Sequence, residues 1–141
     1  MKPQKVDSYR KTQIETADPA TLILMLFDRA IVLLDKAKNE ILEKQYEEKG
    51  CSLTKANEII AELLRSLDME KGGEIASSLS RLYNFVMREI IDADMNLNTN
   101  AIDNSRRIVS ELRESWVRIK DNPGVELQNT DSAATKVDLS G

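Results

Sequence analysis

The sequence of 141 residues contains no histidine. This absence excludes Ser-His and Cys-His nucleophile pairs, the Glu-x-x-His ligands of di-iron helical bundles and histidine phosphotransfer. No two acidic residues fall by spacing inside an apolar pocket, the environment that shifts the pKa of a catalytic carboxylate. We therefore predict that the protein is not an enzyme and has no catalytic residues, metal site or cofactor.

Cysteine, proline and glycine are also scarce, with one, three and five residues respectively. The single cysteine, Cys51, cannot form an internal disulfide, which favours a reduced, cytosolic setting. So few helix breakers favour long helices over a strand-rich fold. We expect no signal peptide and no direct membrane insertion, because the longest apolar run, residues 22–27, is far shorter than the roughly 18 residues that span a bilayer.

Basic residues are outnumbered by acidic ones, 20 to 24, which gives a net charge of -4. Nucleic acids bind proteins mainly through basic patches, so we expect no nucleic-acid partner. Hydrophobic residues still make up 41% of the chain, enough for one core. Length and composition together predict a single domain.

Four segments show the apolar spacing of amphipathic helices. Asp18 followed by Pro19 is a typical helix start. We attribute the breaks between helices to Gly50, to the pair Gly72-Gly73 and to a polar hinge before the last helix. The predicted helices span residues 19–46, 52–68, 74–97 and about 100–120.

Four helices with short connections predict an all-α, antiparallel up-down four-helix bundle. We place this bundle at residues 18–121. Residues 1–17 are polar, and residues 122–141 are small, polar and unperiodic. We therefore predict a flexible N-terminal tail and a disordered C-terminal tail.

The apolar faces of the first and third helices are wider than a bundle needs. On a helical wheel they cover arcs of roughly 200° and 180°, against about 140° and 120° for the second and fourth helices, although a surface helix needs little more than about 100°. Met25 and Val32 fall on the mostly charged side of the first helix. Either these two helices are the most buried diagonal pair, or they form a groove that the tails, another copy or a client covers.

Three segments carry motifs in a particular order. The first is ADPATLILMLFDRAIVLLDKA, the second runs from Leu67-Asp68 through EKGGEIA to Leu82-Tyr83, and the third is VSELRESWVRI, with a Leu-Arg-x-x-Trp pattern. Together they resemble the flagellar secretion chaperone family, FliS, over about residues 6–120. Phe27 replaces the family's usual Tyr, Arg29 stands where Gly or Asn is common, and residues 125–141 have no counterpart.

The resemblance implies a cytosolic chaperone that binds the disordered C-terminal segment of flagellin and prevents its premature polymerisation. It also implies presentation of the complex to the membrane export gate for type III secretion. A client that folds on binding loses conformational entropy, and this loss offsets part of the interaction energy. The complex is therefore weaker, and the client is released more easily. The resemblance further suggests that the N-terminal tail, with Tyr9, folds over the groove when no client is bound.

The candidate partner-binding residues lie in the N-terminal tail and on the two wide helix faces. A core position, or an incidental exposed aromatic in the tail, is the alternative interpretation for each. A structural homo-oligomer without a client is the alternative function, and a weak homodimer is left open. The predicted partner-binding residues are Tyr9, Phe27, Ile31, Leu34, Tyr83 and Met87.

Overall fold

A computed structural model describes residues 18–121 of the chain, without the side chain of Lys120. Across this range the chain forms four α-helices and no β-strand. The predicted tails, residues 1–17 with Tyr9 and residues 122–141, lie outside the described residues. The helices are α1 (Pro19–Leu42), α2 (Tyr46–Arg65), α3 (Met69–Asn96) and α4 (Thr99–Asp121).

Ion pairs between α1 and α4 show that these two helices run in opposite directions. Lys38 lies 2.9 Å from Asp103, and Asp28 contacts Arg113. The later residue of α1 pairs with the earlier residue of α4, and the earlier residue of α1 pairs with the later one of α4. The two helices are therefore antiparallel. Because all four side chains are at least one-third exposed, each pair contributes no more than about 1 kcal/mol to stability.

Each helix packs against two neighbours and lies diagonally opposite the third. α1 and α3 each contact both α2 and α4, so α1 and α3 form one diagonal of the bundle. Short connections join each helix to the next, as in an up-down arrangement. The prediction of an all-α, antiparallel four-helix bundle is therefore confirmed.

The core holds aliphatic side chains and one phenylalanine, together with small residues at close helix contacts. Alanines that are fully buried allow neighbouring backbones to approach, since the distance between two helix axes depends on the side chains between them. These alanines are Ala30, Ala37, Ala56 and Ala93. The largest fully buried side chains are Phe27, Leu34, Leu53, Ile60, Leu63, Ile90, Ile102 and Ile108.

A buried polar cluster fixes the position of α2 along α1. The Ser52 hydroxyl donates to Glu40 Oε1 at 2.8 Å, and Lys36 Nζ lies 2.5 Å from Glu40 Oε2. Glu40 is only 6% exposed, and a buried carboxylate is stable only with such partners. Sliding either helix by one turn would separate these groups, so the cluster specifies one register.

The first connection lies earlier in the chain than predicted. α1 ends at Leu42, and Lys44 adopts a left-handed backbone with φ 61°. The Gln45 N–H donates to the Glu40 carbonyl at 2.7 Å and closes the helix. The prediction that Gly50 marks the loop is wrong, because this glycine lies inside α2, where one glycine costs only about 1 kcal/mol.

The third helix begins earlier than predicted, at Met69 rather than near residue 74. Asp68 Oδ1 accepts a hydrogen bond from the Lys71 N–H at 3.0 Å and caps the helix. The glycine pair nevertheless ends the first short helical stretch, because the range of α3 joins two helices across a kink at Gly73. It interrupts α3, where Gly73 has φ 53° and ψ -128°, a combination that glycine alone adopts readily.

Alanine substitution at two glycines should have opposite effects on stability. A Cβ at Gly50 would meet Asp94 Oδ1 at an ordinary 3.9 Å, so Gly50→Ala should stabilise the fold by about 1 kcal/mol through helix propensity. Gly73→Ala should destabilise it by about 1–3 kcal/mol, because its positive φ strains any other side chain. Urea unfolding measures both values. An unchanged stability of the Gly73 variant would show that the kink is not required.

Candidate functional site

An open groove with a volume of about 1460 Å³ lies at the end of the bundle where the described chain begins and ends. All four helices contribute to it, α1 most of all. Small-molecule pockets usually measure about 300–1,000 Å³, so this groove has room for a peptide segment. Its apolar lining residues are Pro19, Ala20, Leu22, Ile23, Met25, Leu26, Phe27, Val32, Leu67, Ile75, Ala76, Leu79, Tyr83, Leu112, Trp116 and Ile119.

The first turns of α1 form one wall of this groove. Asp18 Oδ1 accepts from the Thr21 N–H at 2.8 Å, and Pro19 occupies the first turn, so the helix starts firmly at this point. The five apolar residues 22–26 that follow are all half-buried. Val32, two turns further on, is 51% exposed. This wall therefore presents apolar side chains that no other part of the described chain covers.

Trp116 ties the groove wall of α4 to that of α1. Its indole Nε1 donates to the Ala20 carbonyl at 3.0 Å. A buried or half-buried indole N–H needs such an acceptor, and here the acceptor is in the first turn of the neighbouring helix. The hydrogen bond holds the two helix ends together at the mouth of the groove.

Two aromatic rings lie at the base of the groove. Phe27 of α1 is 2% exposed and Tyr83 of α3 is 4% exposed, and both line the groove. They come from helices on the diagonal of the bundle, so the base of the groove is where α1 and α3 approach each other. Burial raises the pKa of Tyr83 well above the usual range of a tyrosine.

Charged side chains line the rim of the groove. Asp28 pairs with Arg113, and a second rim carboxylate, Glu62, is paired within its own helix. Arg29 and Lys71 also lie on the rim and have no ion-pair partner within residues 18–121. The exposed carboxylate of Asp68, which caps α3, lies on the rim as well. The rim therefore offers two positive charges and this one further carboxylate beside an apolar wall.

The structure brings together only two of the residues that the sequence predicted for the site. Phe27 and Tyr83 both line the groove. Ile31 and Met87 are half-buried against the core, and Leu34 is fully buried within it, so these three do not line the groove. Tyr9 lies outside the described residues.

Several groove residues were not among the predicted ones. The helical wheel put Met25 and Val32 on the charged side of the first helix, yet both line the groove. Leu67 and Ile75, on either side of the glycine pair, line it as well. A usable signal was present, because six consecutive apolar residues, 22–27, place apolar side chains on every side of a helix.

Between residues 18 and 121, no group of histidine, cysteine, aspartate and glutamate side chains is arranged to hold a metal ion. None of the four described helices combines the length and apolar character that crossing a membrane requires.

Comparisons with known proteins point to one family. The family model described as flagellar protein FliS matches residues 2–123. The chain is similar to the flagellar secretion chaperone FliS of Salmonella typhimurium, with 35% identity over 119 residues, which is 81% of this chain and 88% of the relative. Flagellar secretion chaperone FliSB of Pseudomonas aeruginosa is 31% identical over 106 residues, 75% of this chain and 84% of the relative. FliS of Vibrio cholerae is 31% identical over 118 residues, 81% of this chain and 87% of the relative.

The raised pKa of Tyr83 should make stability depend on alkaline pH. Because the folded protein favours the neutral phenol, this contribution is complete below the unfolded pKa of about 10 and is lost as the pH rises through the folded pKa. Tyr83→Phe should therefore flatten the fall in unfolding free energy above about pH 10. Urea unfolding across this range measures the slope. A slope in this variant equal to that of the natural chain would contradict the prediction.

Proposed function

The chain belongs to the family of flagellar protein FliS, and on this basis we propose that it is an export chaperone whose client is flagellin. Membership of a family of secretion chaperones supports the export role. Chaperones are a non-enzymatic class, in keeping with a groove that is lined mainly by apolar side chains.

The apolar groove is the single observation that carries the proposal. An α-helix is about 10 Å wide, and apolar recognition of a helix in a groove is a recurring mode of binding. Along α1 the groove runs from Pro19 to Val32, about 20 Å at 1.5 Å per residue. A groove of this length accommodates roughly three to four turns of a client helix.

The C-terminal segment of flagellin is the proposed occupant of the groove. This segment is disordered before assembly and later forms the core of the filament, as the family resemblance implies. Covering its apolar face in the chaperone would prevent premature polymerisation. Ordering of the segment on binding would consume part of the interaction energy, so the complex can still release its cargo.

Contacts with the client divide between the base and the rim of the groove. Phe27 and Tyr83 at the base would meet the apolar stripe of the client helix, and Val32 would contact it near the mouth. The available cations of Arg29 and Lys71 favour a client segment with carboxylates beside its apolar stripe, because opposite charges at a rim steer association. Tyr9, Ile31, Leu34 and Met87 stay as predicted contacts of the same client.

The remaining steps follow from the same role. A chaperone that meets its client before secretion acts in the cytosol, and the loaded complex would be delivered to the membrane export gate. The net charge of -4 and the absence of a spanning helix within residues 18–121 are compatible with this location.

Calorimetry with a flagellin C-terminal peptide tests the proposal. We expect one peptide to bind each chain. Val32→Asp should weaken binding at least about tenfold, because it places a charge in an apolar contact that is worth roughly 1–3 kcal/mol. The matched control is Ile91→Asp, since Ile91 is 49% exposed on α3 and lies outside the groove. Both substitutions are at exposed positions, so neither should change the melting temperature substantially.

Three outcomes would contradict the proposal. The peptide could give no heat, it could bind both variants equally, or sedimentation could show a tight oligomer that leaves no room for a helix. The last result would favour the alternative of a structural homo-oligomer without a client. Phe27→Ala is a less useful variant, because loss of a buried phenylalanine costs about 3–5 kcal/mol of stability by itself.

A further inference from the structure

Most of the exposed large apolar side chains lie far from the groove. Among the described residues seven such side chains are exposed, and five of them lie near the α1–α2 and α3–α4 connections. We name these five the distal patch: Leu42, Tyr46, Ile91, Met95 and Leu97. Leu42 lies ten residues beyond Val32 on α1, about 15 Å further along the helix. The distal patch is thus at the opposite end of the bundle from the groove.

Contacts between α2 and α3 bring the two halves of the distal patch together. Lys49 Nζ donates to the Asp94 carbonyl at 2.9 Å and lies 2.6 Å from its carboxylate. Tyr46 is one turn before Lys49, and Leu97 is one turn after Asp94. In an antiparallel pair these two positions lie at the same level, so Tyr46 and Leu97 expose their side chains at the same end of the bundle.

Leu97, in the distal patch, adopts a backbone conformation that is unfavourable for leucine. Leu97 caps α3 in the left-handed conformation, with φ 53° and ψ 39°. Glycine or asparagine is the usual residue for this conformation, and any other residue raises the free energy of the fold. Leu97 is nevertheless leucine and is 41% exposed. Strained backbone that presents a side chain to solvent is typical of binding surfaces.

Acidic residues surround the distal patch. Residues 42–48 and 91–98 together contain five carboxylates and one lysine. Asp94 is paired with Lys49, while Glu43, Glu47 and Glu48 are exposed and have no ion-pair partner within residues 18–121. The surroundings of the patch are therefore negatively charged.

We propose that the distal patch is a second docking surface, which binds a helical segment of another protein with an apolar stripe flanked by lysine or arginine. Charge complementarity selects this occupant. A symmetric dimer through the patch would bring its acidic surroundings against themselves, and an anionic membrane would be repelled. This inference goes beyond the client groove and is independent of it. A chaperone with both surfaces binds a client at one end and a second protein at the other.

A designed peptide tests this surface in the full-length chain. The probe is an amphipathic helix of leucine and lysine, about 14 residues or roughly four turns long, and its control is the same helix with glutamate in place of lysine. Backbone NMR of the ¹⁵N-labelled chain maps the binding site. We expect the leucine–lysine peptide to shift resonances of residues 42–48 and 91–98, and the leucine–glutamate peptide to leave them unchanged.

The double variant Leu97→Gly, Met95→Gln removes two apolar contacts. It should weaken binding of the leucine–lysine peptide at least about tenfold. Glycine relieves the positive φ at position 97, so the variant should melt no lower than the natural chain. Met69→Gln, at a 52% exposed methionine outside both the groove and the distal patch, is the matched control and should bind the peptide as the natural chain does.

The proposal is overturned if the shifts map to the groove, if both peptides bind alike, or if the double variant binds unchanged. It is also overturned if the same resonances shift with protein concentration in the absence of peptide, because a second copy would then be the occupant. The same resonances can also be compared between the full-length chain and a chain without its terminal segments. A difference between these two spectra without peptide would show that the chain's own termini occupy the surface instead.

Discussion

Six consecutive apolar residues, 22–27, begin α1, and the neighbouring helices cannot cover all of them. At about 100° per residue such a run passes more than one and a half times around the helix. α1 packs mainly against α2 and α4, and α3 lies across the diagonal. Two neighbours cover two sides of the helix, and the third side opens into the groove. The half-buried state of residues 22–26 follows from this mismatch between sequence and packing.

The end of the bundle away from the groove is closed, because the residues buried there differ from those at the groove. Small buried residues, such as Ala37 and Ala93, let the helices approach closely there. The cluster of Glu40, Ser52 and Lys36 fixes α2 on α1 with hydrogen bonds that only one register satisfies. At the groove end the hydrogen bond from Trp116 ties α1 to α4, and the groove stays open beside it. One fold thus combines a closed half with an open half.

The fold was predicted more accurately from the sequence than the candidate site was. Apolar periodicity predicted four helices and their antiparallel order, and the predicted and observed bounds of α4 agree within about two residues. It misplaced the first connection, because Lys44 takes a left-handed turn without glycine and Gly50 lies inside α2. Near the second connection the predicted break at the glycine pair is present as a kink at Gly73, although α3 already begins at Met69. Glycine is a reliable breaker only when tertiary contacts do not favour a continued helix.

The site was harder to predict, because a helical wheel gives the direction of a side chain but not the distance to its neighbours. Phe27 and Tyr83 were found because they lie on wide apolar faces, and both line the groove. Val32 was assigned to the charged side, although the groove extends to it. Leu34 shares a face with Phe27 but lies further along α1, where the bundle is closed. Direction around α1 decides between neighbours such as Ile31 and Val32, and position along the axis decides between Phe27 and Leu34.

The most direct test of an open apolar wall on α1 is the solvent accessibility of its methyl groups. NMR with a soluble paramagnetic probe measures this accessibility before and after addition of the flagellin C-terminal peptide. We expect the methyl groups of Leu22, Ile23 and Leu26 to lose accessibility when the peptide binds, while Leu53, which is 1% exposed, stays shielded throughout. Methyl groups on α1 whose accessibility is the same with and without bound peptide would contradict a client site in the groove.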